Sequence, residues 1–306
     1  SCELETMIHL SRLHWLIPLC LCLAVQSLSA AKLPENALAV VIRFEGMITP
    51  KLQRFLNRKL NEAQSSGINV VILEIHSPGG MVQPSFDICD RLLKIDWAYT
   101  IAFVPEQALS GAAFVSLACD QIVMGETATL GDAGPIIMLP DGTVRPAAEK
   151  IQTHIAQRIR DIAEAKGRAP ALAEAMVDHK LDVFKVTNTK SGDVTYMSKP
   201  ELAKREDRDE WEIGRPVMNQ KNRFLEVNGK QAKQLGLAQA IVGSREQLRA
   251  HFKLESPLRV MKSGWTDFTV DFLNRNWVTA LILIAGMVAL YVEMSAPGIG
   301  VGGMIS

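Results

Sequence analysis

Apolar and polar positions alternate with two different periods along the middle of the chain. Residues 37–44 (ALAVVIRF) are β-branched and bounded by turn residues, which predicts a strand. Residues 50–66 place Leu52, Phe55, Leu56, Leu60 and Ala63 at helical spacing, and Gly67 ends that helix. Residues 69–75 (NVVILEI) predict a second buried strand, Ser77-Pro78-Gly79-Gly80 a turn, and 82–94 a helix with Phe86, Cys89, Leu92 and Leu93 inward. A strand at 99–104, a helix of small residues at 108–118 and a strand at 121–124 continue the series. Such alternation means βαβ units and a largely parallel sheet, an α/β fold.

Further on, residues 147–166 carry Ile151, Ile155, Ile159 and Ile162 as one apolar stripe of a long helix that Gly167 ends, and a second helix follows at 169–177. Residues 178–217 are polar, with a dense charge run over 199–215; they read as a β-rich excursion or an exposed loop. Ordered patterning resumes at 223–237 and 244–252, and 254–268 reads as a linker. There is no internal repeat and no low-complexity tract.

The two ends break the pattern. The chain opens on Ser1, with Met7 a candidate start; His9, Arg12 and His14 form a weakly basic lead, and 15–25 is an apolar run. Ser29 and Ala31 then fit the minus-three and minus-one positions of a signal-peptidase site, so residues 1–31 are expected to be a secretory signal peptide. At the other end 277–292 (WVTALILIAGMVALYV) is unbroken apolar sequence with Trp277 and Tyr291 at its edges. Sixteen residues fall short of the ~20 of a straight span. Continuation through Pro297 into GIGVGGMIS nonetheless makes 277–306 the expected start of a larger transmembrane region. The domains expected are thus 1–31, signal peptide; 32–253, the α/β domain; 254–276, linker; and 277–306, membrane. Export places the α/β domain outside the cytoplasm. Arg259, Lys262 and Arg275 on the outer flank oppose that orientation by the positive-inside rule, but long domains translocate largely regardless of charge.

Composition narrows the function classes. Apolar residues at 48% permit a sizeable core, and 22% charged residues exclude wholesale disorder. Lysine plus arginine equals aspartate plus glutamate, 33 against 33, which argues against a protein built to grip nucleic acid. Cys2, Cys20 and Cys22 fall in or before the signal; Cys89 and Cys119 sit in apolar helical patterns and read as core thiols, with one bridge left open. No CxxC, HExxH or His/Cys cluster suggests a metal site, and neither a metal nor a nucleotide cofactor is implied.

Two segments carry candidate chemistry. Ser77-Pro78-Gly79-Gly80 follows a buried strand, and its glycines can expose N–H groups able to hold an oxyanion. Ala108-Leu109-Ser110-Gly111-Ala112-Ala113 follows another, with Ser110 near a helix start. Alone, the first is explained as a turn and the second as an N-cap with tight helix packing. Together they lie at the C-terminal ends of neighbouring parallel strands, where ligands bind.

SPGG, then ALSGAA, then Gly125-Glu126-Thr127-Ala128-Thr129-Leu130-Gly131 resembles the ClpP/crotonase superfamily. With YVEMSAPGIGVGG near the end, the chain is similar to the NfeD-type membrane-bound serine proteases related to signal peptide peptidase A. The resemblance implies repeated ββα and βαβ units, Ser110 as nucleophile, an oxyanion hole from the Gly80 and Gly111 amides with Gly79 shaping the turn, and no cofactor. It also implies a protein or peptide substrate that is apolar, a stomatin-like partner, self-association into a homo-oligomer, and a bacterial inner membrane location with the protease domain extracytoplasmic. No histidine lies between His76 and His154, so a ClpP-like triad is absent and a serine–lysine dyad is implied. The position that aligns with the dyad lysine of archaeal relatives carries Arg160, which stays protonated and is a poor base. Lys150 is the replacement, ten residues earlier and roughly 15 Å along the helix. Lys166 reads as a cap-region charge, and His154, on the same helix as Lys150, is a third candidate that otherwise reads as a packed or surface histidine. The alternatives are a catalytically degenerate pseudoprotease used for binding or assembly, and a crotonase-like acyl-CoA enzyme, disfavoured because CoA is cytosolic.

Overall fold

A computed structural model gives the fold and describes residues 33–295 except 35, 140, 218–222, 262–268, 270, 271 and 274. The expected signal peptide and residues 296–306 of the expected membrane region lie outside the described residues. Chain contacts divide the protein into Ser1–Leu33 and Pro34–Ser306, and the fold is that of the second unit.

The strands are β1 (Ala39–Glu45), β2 (Val70–His76), β3 (Tyr99–Val104), β4 (Gln107–Leu109), β5 (Gln121–Met124), β6 (Thr129–Gly131), β7 (Ile136–Met138), β8 (Val144–Pro146), β9 (Val183–Asn188), β10 (Val194–Ser198), β11 (Trp211–Pro216), β12 (Glu226–Asn228), β13 (Ala240–Ile241) and β14 (Arg259–Val260). The helices are α1 (Pro50–Ser65), α2 (Val82–Leu93), α3 (Gly111–Leu117), α4 (Glu149–Ala165), α5 (Pro170–Ala175), α6 (Lys199–Ala203), α7 (Gly229–Gln234), α8 (Arg245–His251) and α9 (Asn276–Ser295).

Six strands form the main sheet in the order β13-β5-β3-β2-β1-β14, parallel throughout. Both faces of its central strands are covered, which is why 70–75 and 101–104 are nearly continuous apolar runs. Ile42, Phe44, Leu73, Ile75, Ala102 and Val104 pack on Leu56 and Leu60 of α1, Phe86 and Leu92 of α2, and the wholly buried α3. Thr49 caps α1 by accepting the Leu52 N–H, and Pro50 sits where no intrahelical N–H is needed.

Two expectations change. The helix expected over 108–118 starts only at Gly111, because Ala108 is captured by a bridge to Ser77 and by pairing of β4 with β6; backbone pairing outweighs the helical preference of small residues. The stretch read as a linker contains β14, which pairs with β1 through Val40–Arg259 and Val41–Val260. Residues 178–217, left between two readings, are β-rich: β10, β9 and β11 form an antiparallel sheet over Val186, Met197 and Leu202. Cys89 and Cys119 are free and buried; burial pushes both thiols up, Cys119 to about 12, which makes them core groups rather than nucleophiles.

Among the described residues no helix is long and apolar enough to cross a membrane. The uninterrupted apolar part of α9, 277–292, covers about 24 Å at 1.5 Å per residue, less than a ~30 Å hydrocarbon core.

The C-terminus of α3 is closed by a buried cation. Arg168, 5% exposed, donates from Nη1 to the Leu117 carbonyl (2.8 Å) and from Nη2 to that of Asp120 (3.2 Å). Burial pulls its guanidinium down to about 10, still charged at neutral pH. Beside it Lys166 pairs with Asp120, whose carboxylate also accepts from the backbone N–H and hydroxyl of Thr100, both at 2.7 Å. Arg168→Ala leaves one buried and one partly buried carbonyl without this donor and is expected to cost about 3 kcal/mol in chemical denaturation; a loss below about 0.5 kcal/mol would refute this role.

Candidate active site

The site forms where two loops leave the C-terminal ends of β2 and β3. Ser77, buried, ties the first loop: its hydroxyl donates to the Gly46 carbonyl (2.6 Å) and accepts the Gly79 N–H (3.1 Å). Its backbone joins the second loop, with the Ser77 N–H on the Gln107 carbonyl (3.1 Å) and the Leu109 N–H on the Ser77 carbonyl (3.0 Å). The two loops are thereby held backbone to backbone. Gly79, at φ +92°, has no room for a side chain: a Cβ would strike Ser110 Cβ and approach the Leu109 carbonyl oxygen to 2.7 Å. Gly80 is pressed against the Ile48 backbone by two bonds, from the Ile48 N–H to the Gly79 carbonyl (2.8 Å) and from the Met81 N–H to the Ile48 carbonyl (2.9 Å).

Ser110 occupies the bend between β4 and α3 at φ 53°, ψ −127°. This conformation is strained for a residue with a Cβ, at a cost of order 1–3 kcal/mol. Its N–H donates to the Gly131 carbonyl (3.0 Å), and its carbonyl accepts from Ala113 N–H (2.9 Å). The ordinary explanation of Ser110, an N-cap, does not hold, because its side chain makes no capping bond. A strained serine turned out of a strand-to-helix bend is the geometry that exposes a nucleophilic hydroxyl.

Around that hydroxyl lies a small pocket of ≈ 20 Å³, enough for a water-sized group. Gly80, Ser110 and Gly111 form its polar side, while Val82, Phe114, Ala133, Pro135 and Ile155 form the rest. Among the described residues the N–H groups of Gly80 and Gly111 have no hydrogen-bond partner, whereas that of Gly79 is taken by Ser77. Gly79 therefore shapes the turn, and two free amides remain beside the hydroxyl. Among the described residues no acidic or basic side chain lines the pocket.

The other sequence candidates lie elsewhere. Lys150 is exposed in the first turn of α4; Ile155, which does line the pocket, is about 140° further round that helix. Arg160 is held between Glu174 and Glu201. Burial lowers its affinity for the proton, but those two carboxylates outweigh it and hold the guanidinium above its usual value. Arg160 thus joins α4 to α5 and α6. His154 is exposed, and Lys166 belongs to the Asp120 pair. Missed in the sequence were Ser77 as the tie between loops and the wall formed by Ala133 and Pro135. A signal for Phe114 existed: it stands four residues after Ser110, one helical turn on. Among the described residues no group of three or more His, Cys, Asp or Glu side chains could hold a metal ion.

The NfeD1b N-terminal domain profile matches residues 39–206. The chain belongs to the NfeD1b family. Membrane protein NfeD1b of Bacillus subtilis is 25% identical over 270 residues, which is 88% of this chain and 54% of that protein. A membrane-bound protease of Pyrococcus horikoshii is 22% identical over 157 residues, 50% of this chain and 36% of that one. This NfeD1b chain therefore spans about half the first relative's length and about a third of the second's. A serine-to-alanine variant of a membrane-bound stomatin-specific protease superposes with TM-score 0.56 at 16% identity, over 76% of this chain and 100% of that one. A lysine-to-alanine variant of it, in complex with a substrate peptide, gives TM-score 0.56 at 15% identity, over 78% and 99%. The NfeD-type resemblance is borne out in family, and the α/β fold is shared with that protease domain.

The close approach of the two loops gives a stability test within the NfeD1b fold. Gly79→Ala is expected to lose about 3 kcal/mol or more, from collision added to a left-handed φ. Gly67→Ala, at φ +70° with open space around it, is expected to lose about 1 kcal/mol. Equal losses for the two in urea denaturation would contradict the packing described.

Proposed function

We propose that this NfeD1b chain is a membrane-tethered, extracytoplasmic serine endopeptidase that cleaves apolar segments of membrane-associated proteins. The observation that carries the proposal is the strained Ser110, which lines one pocket with Gly80 and Gly111, whose amides are unpaired among the described residues. Ser110 Oγ bonds to the substrate carbonyl carbon, and the carbonyl oxygen takes up negative charge between those two N–H groups. Collapse breaks the C–N bond; the proton lost by Oγ passes through a base to the departing amine. Water then adds to the acyl-enzyme, frees the carboxylate and returns a proton to Ser110.

Lys150 is the proposed base. The serine and lysine replaced in the two solved variants are 41 residues apart, and Ser110 and Lys150 are 40 apart. Its exposed position requires the first turn of α4 to rearrange before the amine reaches Ser110. A lysine accepts a proton only in its neutral form, which burial favours.

Exposed apolar side chains around the mouth support an apolar substrate. Met47 precedes Ile48, Met81 follows Gly80, Ile136 follows Pro135, and Ile151 stands one turn before Ile155; all four are exposed. Tethering is supported by the names of the relatives, both membrane proteins. A stomatin-like partner is proposed because the solved neighbour is stomatin-specific; the proposal also includes a homo-oligomer and a bacterial inner membrane.

A second reading, a pseudoprotease used for binding or assembly, has one observation in its favour: among the described residues no base lines the pocket. A fluorophosphonate probe separates the two. The protease reading expects labelling of the wild type, none of Ser110→Ala, and peptide cleavage slowed about 100-fold or more by Lys150→Ala. Arg160→Ala is expected to reduce stability first. An unlabelled, folded wild type would overturn the protease reading, and unchanged cleavage by Lys150→Ala would remove that lysine as the base.

A further inference from the structure

The amides of Gly80 and Gly111 must meet one oxygen, so both their direction and their separation matter. Direction is set through the peptide planes, because a trans peptide points its N–H opposite its C=O. The Gly80 N–H shares a plane with the Gly79 carbonyl, which accepts the Ile48 N–H (2.8 Å). The Gly111 N–H shares one with the Ser110 carbonyl, which accepts the Ala113 N–H (2.9 Å). Each amide is aimed by a bond made at the far side of its own peptide unit.

Separation involves a side chain that takes part in neither bond. Ser85, on α2, is wholly buried. Its hydroxyl donates to the carbonyl of Met81 (2.8 Å), the residue after Gly80, and the Met81 N–H is fixed on the Ile48 carbonyl (2.9 Å). The same oxygen lies against Gly111: a Cβ at 111 would strike Ser85 Oγ and come to 3.0 Å from Ser85 Cβ. Ser85 Oγ is thus bonded to the segment that carries one amide and packed on the residue that carries the other. Alanine is the better helix former, and a serine bonded back to the i−4 carbonyl adds nothing to a helix. The hydroxyl is explained by what it spans rather than by α2 itself. The next residue locks the two helices: Phe86 stacks on Phe114, with ring centres 5.3 Å apart and planes 12° from parallel. The Arg158 guanidinium lies over the Phe86 ring, 4.5 Å from its centre, and is anchored by Asp90 at 2.7 Å. Sliding α2 along α3 to make up for a change at 85 would break that stack.

We propose that Ser85 is a positioning residue for the reaction of Ser110: its hydroxyl is the spacer that holds the Gly80 and Gly111 amides at the separation one oxyanion requires. The inference rests on Ser110 being the nucleophile. Alanine at 85 leaves the spacer short and the Met81 carbonyl with one donor fewer. Valine sets a methyl group, larger than the hydroxyl, against Gly111 and also offers that carbonyl no donor.

An ethyl fluorophosphonate reacting with the full chain tests this, because its phosphoryl oxygen takes the oxyanion's place. Losing a whole oxyanion donor costs about 100- to 1000-fold, so misplacing one is expected to slow the maximal labelling rate about 10-fold in Ser85→Ala and about 100-fold in Ser85→Val. The half-saturating probe concentration is expected to stay within about twofold, since the interaction strengthens only as charge develops. The phosphorus NMR resonance of the Ser110 adduct is expected to move in both variants, reporting altered hydrogen bonds to the phosphoryl oxygen. Leu92→Ala, buried elsewhere on α2, is the control for stability alone: it is expected to lower the urea midpoint while rate and resonance stay in place. Unchanged rate and resonance in Ser85→Ala and Ser85→Val overturn the role. A stability cycle covers the case in which the valine variant does not fold. Gly111→Ala is expected to lower the urea midpoint, and adding Ser85→Gly to recover part of the loss; additive losses overturn the contact on which the spacer depends. Failure of the probe to label folded wild-type protein overturns the reading of Ser110 and this inference with it.

Discussion

The site depends on two backbone segments being pressed together without side chains between them. The Ser77 carbonyl and N–H hold Leu109 and Gln107, the Ser77 hydroxyl holds Gly46 and Gly79, and Ile48 clasps Gly79 and Met81 from the other side. Side chains at 79, 80 or 111 would strike Leu109, Ile48 or Ser85. The glycines therefore serve two ends at once. They permit the loops to close, and among the described residues the closed loops leave the amides of Gly80 and Gly111, which line the same pocket as Ser110, without a hydrogen-bond partner. Unpaired amides in a partly buried pocket are costly, and a strained serine adds to that cost. Both are features that oxyanion-binding sites use.

The rest of the domain keeps that arrangement rigid. Parallel strands buried on both faces present their C-terminal ends to the two loops. The short helix α3, which begins one residue after Ser110, is buried along its whole length, closed at its far end by Arg168 and braced at its side by the stacked rings of Phe86 and Phe114. Neither arginine that contacts this frame, 158 or 168, faces the pocket. Both act by holding elements in place. Arg160 has the same character: its carboxylate pairs place it among structural cations.

Much of this was legible in the sequence, for identifiable reasons. The runs at 70–75 and 99–104 are apolar because both faces of those strands are covered, and they end at turn residues. The SPGG and LSGAA segments could be joined because each follows such a strand. What the sequence concealed depends on partners far away in the chain. Strand β4 is held by Ser77 and β6, not by its own preference, so 108–109 read as helix. Strand β14 is two residues long and exists through pairing with β1. The strained backbone of Ser110 has no local signature, because nothing in its neighbours' identity requires a positive φ. The facing of Lys150 depends on the phase of α4 against the pocket, which an apolar stripe of isoleucines specifies only for the buried side. Ile155 was readable as core, but not as a pocket wall.

The central claim is that Ser110 and two backbone amides form one reacting centre. A crystal structure of the full chain after reaction with a peptidyl phosphonate tests it most directly. The account requires phosphorus bonded to Ser110 Oγ, with the phosphoryl oxygen about 2.7–3.1 Å from the nitrogens of both Gly80 and Gly111. An adduct on another residue, or a phosphoryl oxygen turned to solvent with both amides left unpaired, would contradict it.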